Sequence, residues 1–557
     1  VFMPMRCLMI THLQTRQCLA TPLRSQYDGG IVVNPEFNEG LKGWTQFGDI
    51  NIEHQQSDDG NKYIVASKRN QSFHSLPQIF NLENEKLYTF SAWLQVSNAE
   101  ADIAAVFKSN TSYVIAGWVT AKKGCWSFLK GGLTVNESGP AQLYFESQNS
   151  EVDIWADSIS LQPFTQEEWI SHQRDSLEKA RKGRVKLQAL DQHGRPVPNA
   201  TVSIKQARGG FPLGVAINNN FLNNAPYQTW FFSRFKHAVF ENELKWVSNE
   251  PSRGSEDYST SDALVRLLQS RGVAIRGHNV LWADAKFQPG WVGGLSPADL
   301  RSAAMKRVNS VVGRYKGQLI HWDVMNENLH FNFFETKLGN QASRQFYSMA
   351  NKIDGRATPF LNEYNTIEDA RDGASSPAKY LGKIREFRAQ GYNGPLGIGV
   401  QGHFSIPNLP FTRSAIDALA SARLPIWVTE LDVTSGPNQA SYLDQVLHEI
   451  HSHPAVQGII LWVARSQQGC YTMCLTDGNF KNLATGDVVD RFRGQLAEND
   501  HYPGTTDSDG FYEDSFYHGE YEVTISHPSD GRLSNSHQIN VVPQSETGGV
   551  RRITINV

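Results

Sequence analysis

Two glutamates stand out for the chemistry their setting allows. Glu327 closes the run Trp322-Asp-Val-Met-Asn-Glu327, and Glu430 closes Trp427-Val-Thr-Glu430, so each carboxyl follows an apolar segment of strand type. Paired carboxyls suit glycoside hydrolysis, in which one protonates the leaving oxygen and the other attacks the anomeric carbon or activates water. The acid must keep its proton near neutrality, which burial or a neighbouring carboxylate brings about, and its partner must stay ionised. Residue type alone does not assign the two roles. A lone strand-end Glu is ordinarily a surface carboxylate, but the neighbours here weigh against that. Asn326 can hydrogen-bond a sugar hydroxyl beside the reacting centre, and His403 can hold a carboxylate. Polar groups converging within a frame of aromatics are the expected form of a sugar cleft.

Such residues need a scaffold that brings strand ends together. Between about 205 and 500, eight short apolar runs recur: Leu213–Ile217, His237–Phe240, Val273–Arg276, Leu319–Met325, Pro359–Leu361, Leu396–Val400, Pro425–Val428 and Gly458–Leu461. Helical periodicity fills several gaps, as in Leu264, Leu267 and Leu268, or Leu443, Val446, Leu447 and Ile450. Strands alternating with helices predict parallel βαβ units, and eight of them predict a (β/α)8 TIM barrel with its site at the strand C-termini. Most runs end in a polar group or aromatic: Glu241-Asn242, His278, Asn326-Glu327, Asn362-Glu363, Gln401, Glu430 and Trp462. A solvated strand end explains any one of these better than it explains the set.

The flanks read differently. Residues 30–165 hold short β-type runs, Lys62–Ser67, Leu87–Val96, Ser112–Val119, Ala141–Glu146 and Val152–Leu161, separated by Gly, Asn, Asp and Ser. That pattern predicts an all-β sandwich of jelly-roll type. Residues 166–204 predict a linker helix and a β-hairpin turning at Asp191-Gln-His-Gly194. The barrel takes 205–504. Alternation at Tyr521, Val523, Ile525, Ile539, Val541, Ile553 and Ile555 predicts a small antiparallel appendage over 505–557. Residues 1–29 are left as an N-terminal extension.

Six motifs carry a resemblance: Glu241-Asn-Glu-Leu-Lys-Trp246, Arg276-Gly-His-Asn-Val-Leu-Trp282, Trp322-Asp-Val-Met-Asn-Glu-Asn328, Asn362-Glu-Tyr-Asn365, Gln401-Gly-His403 and Trp427-Val-Thr-Glu-Leu-Asp432. In order and spacing they resemble glycoside hydrolase family 10, the endo-1,4-β-xylanases, and its plant branch in particular. The resemblance implies a retaining mechanism on a (β/α)8 barrel, with Glu327 as acid/base and Glu430 as nucleophile. It implies that Glu241, Asn242, Lys245 and His278 grip the glycone xylose and that Trp282 and Trp462 wall that subsite. It implies that Gln401 and His403 support the nucleophile, with Asp432 orienting His403. Two departures bear on glycone affinity: Ala283 follows Trp282 where many members have His, and Ser466-Gln-Gln-Gly-Cys-Tyr471 replaces a second Trp. Residues Asn34-Pro-Glu-Phe37, Gly43-Trp44, Leu87-Tyr-Thr-Phe-Ser-Ala-Trp93, Trp126 and Leu143-Tyr-Phe-Glu146 resemble carbohydrate-binding module family 22. That resemblance implies sugar contacts at Tyr144 and Glu146, with Arg69 near a further matching position and Phe73 or His74 where a Trp is usual. It also implies a structural calcium, with Glu36 and Asp157 as candidate ligands; no catalytic metal or cofactor is expected.

Composition limits the partners. The 557 residues are 40% hydrophobic and 19% charged with a net charge of −4, which suits a globular chain of several domains and gives no basic excess for nucleic acid or an anionic membrane. No apolar run reaches a membrane-spanning length. The five Cys are too sparse for a disulfide scaffold, although Cys470 and Cys474 can pair if their loop allows it. Glycosylation acceptor patterns at Asn70, Asn110, Asn136 and Asn199 favour secretion to the cell wall, while the opening segment lacks a clear signal-peptide pattern. The expected partners are xylan and xylo-oligosaccharides, met by a monomer. The competing expectations are a xylan transglycosylase and a wall-binding protein whose barrel has lost activity.

Overall fold

The computed structural model describes residues 18–466, 469–470, 472–496, 504–543 and 551–556. They form two compact units, one built on the N-terminal β sandwich and one on the barrel.

Eight parallel strands make the barrel: β1 (Leu213–Ile217), β2 (His237–Phe240), β3 (Ala274–Trp282), β4 (His321–Asn326), β5 (Thr358–Glu363), β6 (Gly397–Val400), β7 (Ile426–Val433) and β8 (Val456–Leu461). Each pairs with its sequence neighbour, β1 pairs with β8, and the β6–β7 pairing completes the closed ring. Six of the eight strands are buried at nearly every position, as strands covered by helices on one side and by the barrel interior on the other must be. The interior holds Ala216, Val239, Phe360, Trp427, Ile460 and Val463. Two glycines make room for large rings. A Cβ on Gly277 would lie 2.2 Å from the Trp322 ring, and one on Gly458 would lie 2.6 Å from Trp427. The two tryptophans that open the glutamate-bearing motifs therefore each pack against a glycine of a neighbouring strand.

The N-terminal unit contains two antiparallel sheets. One is ordered Asn51–Gln56, Lys62–Ser67, Ile154–Phe164, Leu87–Val96, Ser127–Leu133; the other Gln78–Leu82, Gly139–Glu146, Glu100–Lys108, Tyr113–Lys122. Residues from both, among them Phe90, Leu94, Phe107, Leu129, Phe145 and Leu161, form one core, which is the expected sandwich. A disulfide joins Cys18 to Cys125, and a second joins Cys470 to Cys474. Pairing of Cys18 corrects the expectation that the cysteines are too sparse to staple the chain: the partners are 107 residues apart in sequence, and the folded sandwich brings their Cα atoms to 5.1 Å.

The helix Gln166–Arg181 follows, as expected, but the hairpin after it is short: antiparallel pairing across the turn is confined to Leu190 with Pro196 and the bond from Val197 N–H to Ala189 O at 3.0 Å. Lys182–Leu190 lies between Phe511–Tyr517 and Arg551–Asn556. Thr201–Gly209 pairs instead with Gly504–Thr505 and Gly519–His527. The turn at Asp191 is real, with Gly194 at φ 75° and Asp191 accepting from the amides of His193 and Arg195. The two strands it joins nevertheless enter different sheets. Their buried faces (Val185, Leu187, Val202, Ile204) meet Phe516, Tyr521, Val523, Ile525 and Ile555 in a core of their own. The C-terminal β region is thus half of a second sandwich, and one of its pairings, to Arg551–Asn556, is parallel.

Candidate active site

Glu327 and Glu430 both lie at the C-terminal mouth of the barrel, one immediately past β4 and one within the last residues of β7. Glu327 leaves its strand at φ 57°. The left-handed region costs a non-glycine residue roughly 1–2 kcal/mol, and two backbone bonds hold it there: Glu327 N–H to Asn362 O at 2.9 Å and Phe331 N–H to Glu327 O at 3.1 Å. Its Oε2 accepts from Trp282 Nε1 at 2.7 Å and its Oε1 from Gln401 Nε2 at 3.1 Å. Burial pushes this carboxyl up to about 7; the two hydrogen bonds oppose that, and the charges of Glu363 and Glu430 add to it.

Glu430 is as buried as Glu327, yet its environment acts in the opposite direction. Asn362 Nδ2 donates to its Oε1 at 2.8 Å, His278 Nδ1 lies 3.8 Å from the same oxygen, and His403 Nε2 lies 3.6 Å from Oε2. Burial alone would raise it; the charges of His278 and His403 and the Asn362 bond outweigh burial and hold the carboxyl down to about 2. Asp432 stands behind His403, with Oδ1 2.9 Å from Nδ1. Burial works against the His403 charge, but Asp432 and Glu430 together hold its pKa well above the ordinary range. Gln401 bridges the two sides, since its Oε1 lies 3.0 Å from His403 Nε2 while its amide nitrogen serves Glu327.

The other expected residues converge on the same mouth. Asn326 Oδ1 accepts from Asn362 Nδ2 at 2.9 Å, and its own buried Nδ2 has no partner among the described residues, so a donor is left for a ligand. Glu241 accepts from Asn218 at 2.8 Å and Ser466 at 2.7 Å. Lys245 Nζ donates to Asn242 Oδ1 at 2.9 Å and stands 5.1 Å from the Trp282 ring centroid. Burial lowers the Lys245 pKa, against the pull of four surrounding glutamates, Glu430, Glu241, Glu243 and Glu327. The His278 ring makes edge contacts with Trp282 and Trp462, at 6.3 and 5.6 Å between centroids. Trp462 is half-buried rather than a core ring.

Several residues in the network escaped the sequence reading. Asn362 ends a strand and so was flagged, but its link from Asn326 to Glu430, braced by Thr429 Oγ1 at 2.5 Å, needs three strands in register. Asp323 sits at the centre of a buried triad, 2.7 Å from Arg276 and 2.9 Å from His278. It orients the imidazole that faces Glu430. Glu368 accepts from the amides of Gly402 and His403, 3.3 and 3.2 Å away. Asn218 and Ser466 come from the loops after β1 and β8, which meet only when the barrel closes.

Comparison with known proteins bears on this geometry. The family model described as Glycosyl hydrolase family 10 matches residues 203–473. Endo-1,4-beta-xylanase 5 of Arabidopsis thaliana is 40% identical over 497 residues, covering 87% of each chain. The chain belongs to glycosyl hydrolase family 10. Two further Arabidopsis thaliana members of that similarity set are Endo-1,4-beta-xylanase 5-like, 36% identical over 98% of this chain and 94% of its own, and Endo-1,4-beta-xylanase 4, 37% identical over 84% and 85%. This family 10 chain is a glycoside hydrolase, and a second model, described as Carbohydrate binding domain, matches residues 29–153.

Within that domain the expected sugar-contact residues separate. Arg69 is buried, and its guanidinium donates to the carbonyls of His74, Asn149, Val152, Ser72 and Ser147 at 2.7–3.4 Å. It ties three turns together and has no free edge for a ligand, so the ligand contact expected of it is corrected to a scaffold role. Phe73 is 38% exposed and packs on Phe47. Tyr144 is buried by its edge contact with Phe47, and its hydroxyl donates to Glu146 at 3.4 Å. These rings lie on the sheet face opposite the core, with Ala104, Val106 and Trp118. The proposed calcium ligands are near each other: burial pushes Asp157 up to about 7, with Glu36 contributing, while Asn61 and the Ser158 amide donate to it. Among the described residues no group of three or more His, Cys, Asp or Glu gathers.

Proposed function

We propose that this chain hydrolyses internal β-1,4-xylosidic bonds of xylan by double displacement with retained configuration. The observation that carries this is one cleft holding two strand-end glutamates in opposing surroundings, which push Glu327 up to about 7 and hold Glu430 down to about 2. Glu430, ionised, attacks the anomeric carbon; Glu327, protonated, delivers its proton to the leaving oxygen and then takes one from the water that resolves the glycosyl-enzyme. Asn326, whose buried Nδ2 has no partner among the described residues, holds a hydroxyl of the reacting xylose. Glu241, Asn242, Lys245 and His278 supply polar contacts to the glycone, between Trp282 and Trp462. Gln401, His403 and Asp432 keep Glu430 ionised and oriented. The names of the Arabidopsis relatives support xylan as the substrate.

Residues 205–504 serve as the catalytic domain and 30–165 as a xylan-holding module working through Phe73, Tyr144 and Glu146. Two disulfides and exposed acceptor patterns at Asn70, Asn110, Asn136 and Asn199 support an oxidising, extracellular setting.

The test follows viscosity and reducing ends on soluble β-1,4-xylan, with Glu430→Ala alongside. Wild type drops viscosity ahead of reducing-end release, the first product keeps the β configuration by NMR, and Glu430→Ala does neither. An inverted first product, or turnover retained by Glu430→Ala, overturns the mechanism. No fall in viscosity while the chain still sediments with insoluble xylan leaves a binding protein.

A further inference from the structure

Beside the glycone groups is a cavity of about 580 Å³ between the loops after β1 and β8, lined in part by Asn219, Asn220, Asn223, Arg465 and Phe480. A recess of about 160 Å³ shares Asn220, Arg465 and Phe480 with it and adds Asn218 and Ser466. Those last two residues are the ones that donate to Glu241. The cavity is therefore continuous with the proposed glycone grip. The smaller recess is also lined by Ser466 and Gly469, from the stretch where the sequence departs from the family pattern, and Cys470 of that stretch is disulfide-bonded to Cys474.

The lining groups specify a ligand. Asn218 is fully buried; its Nδ2 serves Glu241 and the Arg465 carbonyl, and its Oδ1 has no partner among the described residues. Among the described residues the Arg465 guanidinium makes only long contacts through one nitrogen, to Cys470 Sγ at 3.5 Å and Thr476 O at 3.4 Å. Its other terminal nitrogen faces Gly478, whose absent Cβ would lie 3.9 Å away. Among the described residues no carboxylate lies within ion-pair distance of it. Asp477, which feels its charge, is half-buried and accepts from the amides of Asn479 and Lys481. Phe480, stacked on Tyr227 at 4.2 Å, gives the cavity an apolar wall. A half-buried cation with an unused edge, clustered primary amides and an aromatic wall fit a sugar that carries a carboxylate. A neutral sugar would satisfy the amides and leave the cation unmatched.

We infer that this cavity binds a uronic-acid branch on the sugar chain, with Arg465 pairing with its carboxylate next to the glycone subsite. The inference rests on the xylan reading for the main chain.

The experiment compares kcat/KM of the full chain on a xylo-oligosaccharide bearing one uronate branch and on the same oligosaccharide with that carboxyl reduced to an alcohol. Wild type favours the acidic form by roughly tenfold or more, the yield of one charge-assisted hydrogen-bonded pair. Arg465→Gln brings the ratio close to one, and Arg465→Lys keeps part of it. Because the readout is a ratio within each protein, a general loss of activity in a variant does not imitate the result. A wild-type ratio near one, or a ratio untouched by Arg465→Gln, overturns the inference while leaving cleavage of unbranched xylan intact. Calorimetric titration of Glu430→Ala with the two oligosaccharides reads the same ratio as Kd, so the cavity is tested even if unbranched xylan proves not to be the substrate.

Discussion

Glu327 has to carry a proton to donate one, and Glu430 has to have lost its own to attack. With Glu327 pushed up to about 7, turnover of xylan falls as pH rises through about 7; with Glu430 held near 2, its protonation limits the rate only in strong acid. The alkaline limb of kcat/KM therefore reports Glu327, and it should vanish with an aryl xylobioside whose leaving group needs no proton. A limb of the same pKa on both substrates would assign it elsewhere. Glu327→Ala follows the same logic: its loss on xylan is roughly 10²–10⁴-fold, the usual range for a general acid, and far smaller on the aryl substrate. Gln401 sharpens the assignment, because its amide donates to Glu327 and so favours the ionised form. Gln401→Leu removes that bond, raises the Glu327 pKa and moves the alkaline limb to higher pH; a shift to lower pH would contradict the bond's direction. Both glutamates, Asn326 and His403 were legible in the sequence because each sits at or just beyond a recognisable strand end. Asn362, Asp323 and Glu368 were not assigned roles, since their effect depends on which strands become neighbours. Arg69 was misread for a related reason: its five carbonyl acceptors come from turns up to 83 residues away.

At the scale of elements, the helix Gln166–Arg181 shows how a segment that looks like a linker becomes structural. Trp169 Nε1 and Gln173 Nε2 both donate to Glu449 Oε2 at 2.7 Å, in the fully buried carboxyl-bearing face of the helix Gln439–Ser452. Ser176 donates to the Ser452 carbonyl, and Arg181 donates to the carbonyls of His451, His453 and Val456, covering the C-terminal end of the same helix and the start of β8. Cationic donors at orphan carbonyls are a favourable helix ending. Trp169→Ala removes a large buried ring and one of the bonds to a buried carboxylate, so it should cost about 3–5 kcal/mol in chemical denaturation; a loss below about 1 kcal/mol would mean the helix is only tethered. The helix itself was readable from its charged and Gln-rich pattern. Its docking was not, because only two of its residues are buried and its apolar face is narrow. The same limit explains why the hairpin stops just past its turn: alternation identifies a strand and its buried face, whereas the partner strand is chosen by contacts more than 300 residues away.

For the whole molecule, that choice of partners makes the C-terminus part of the fold on which the barrel's entry strand depends. Lys182–Leu190 has a described neighbour on each side, and both come from beyond residue 510. Among the described residues Thr201–Gly209 likewise pairs only with strands beyond residue 503. A chain ending at residue 503 would therefore keep the catalytic groups and lose every neighbouring strand described for these two, leaving only the short bridge at Leu190 and Pro196. Val185, Leu187, Val202 and Ile204, now at 0–1% exposure, would face water. Each such side chain is worth about 1.5–3 kcal/mol on burial, a sum comparable with the whole stability of a domain. Ending the chain at 543 instead removes only Arg551–Asn556, leaving Lys182–Leu190 paired on one side. Soluble yield and thermal melting should therefore fall in steps, modestly for the chain ending at 543 and steeply for the one ending at 503, with hydrolysis lost in parallel with folding. If the shorter chain melts like the full one and still cleaves xylan, the second sandwich is only a cap on the barrel, and the strands at 182–209 hold their place without it.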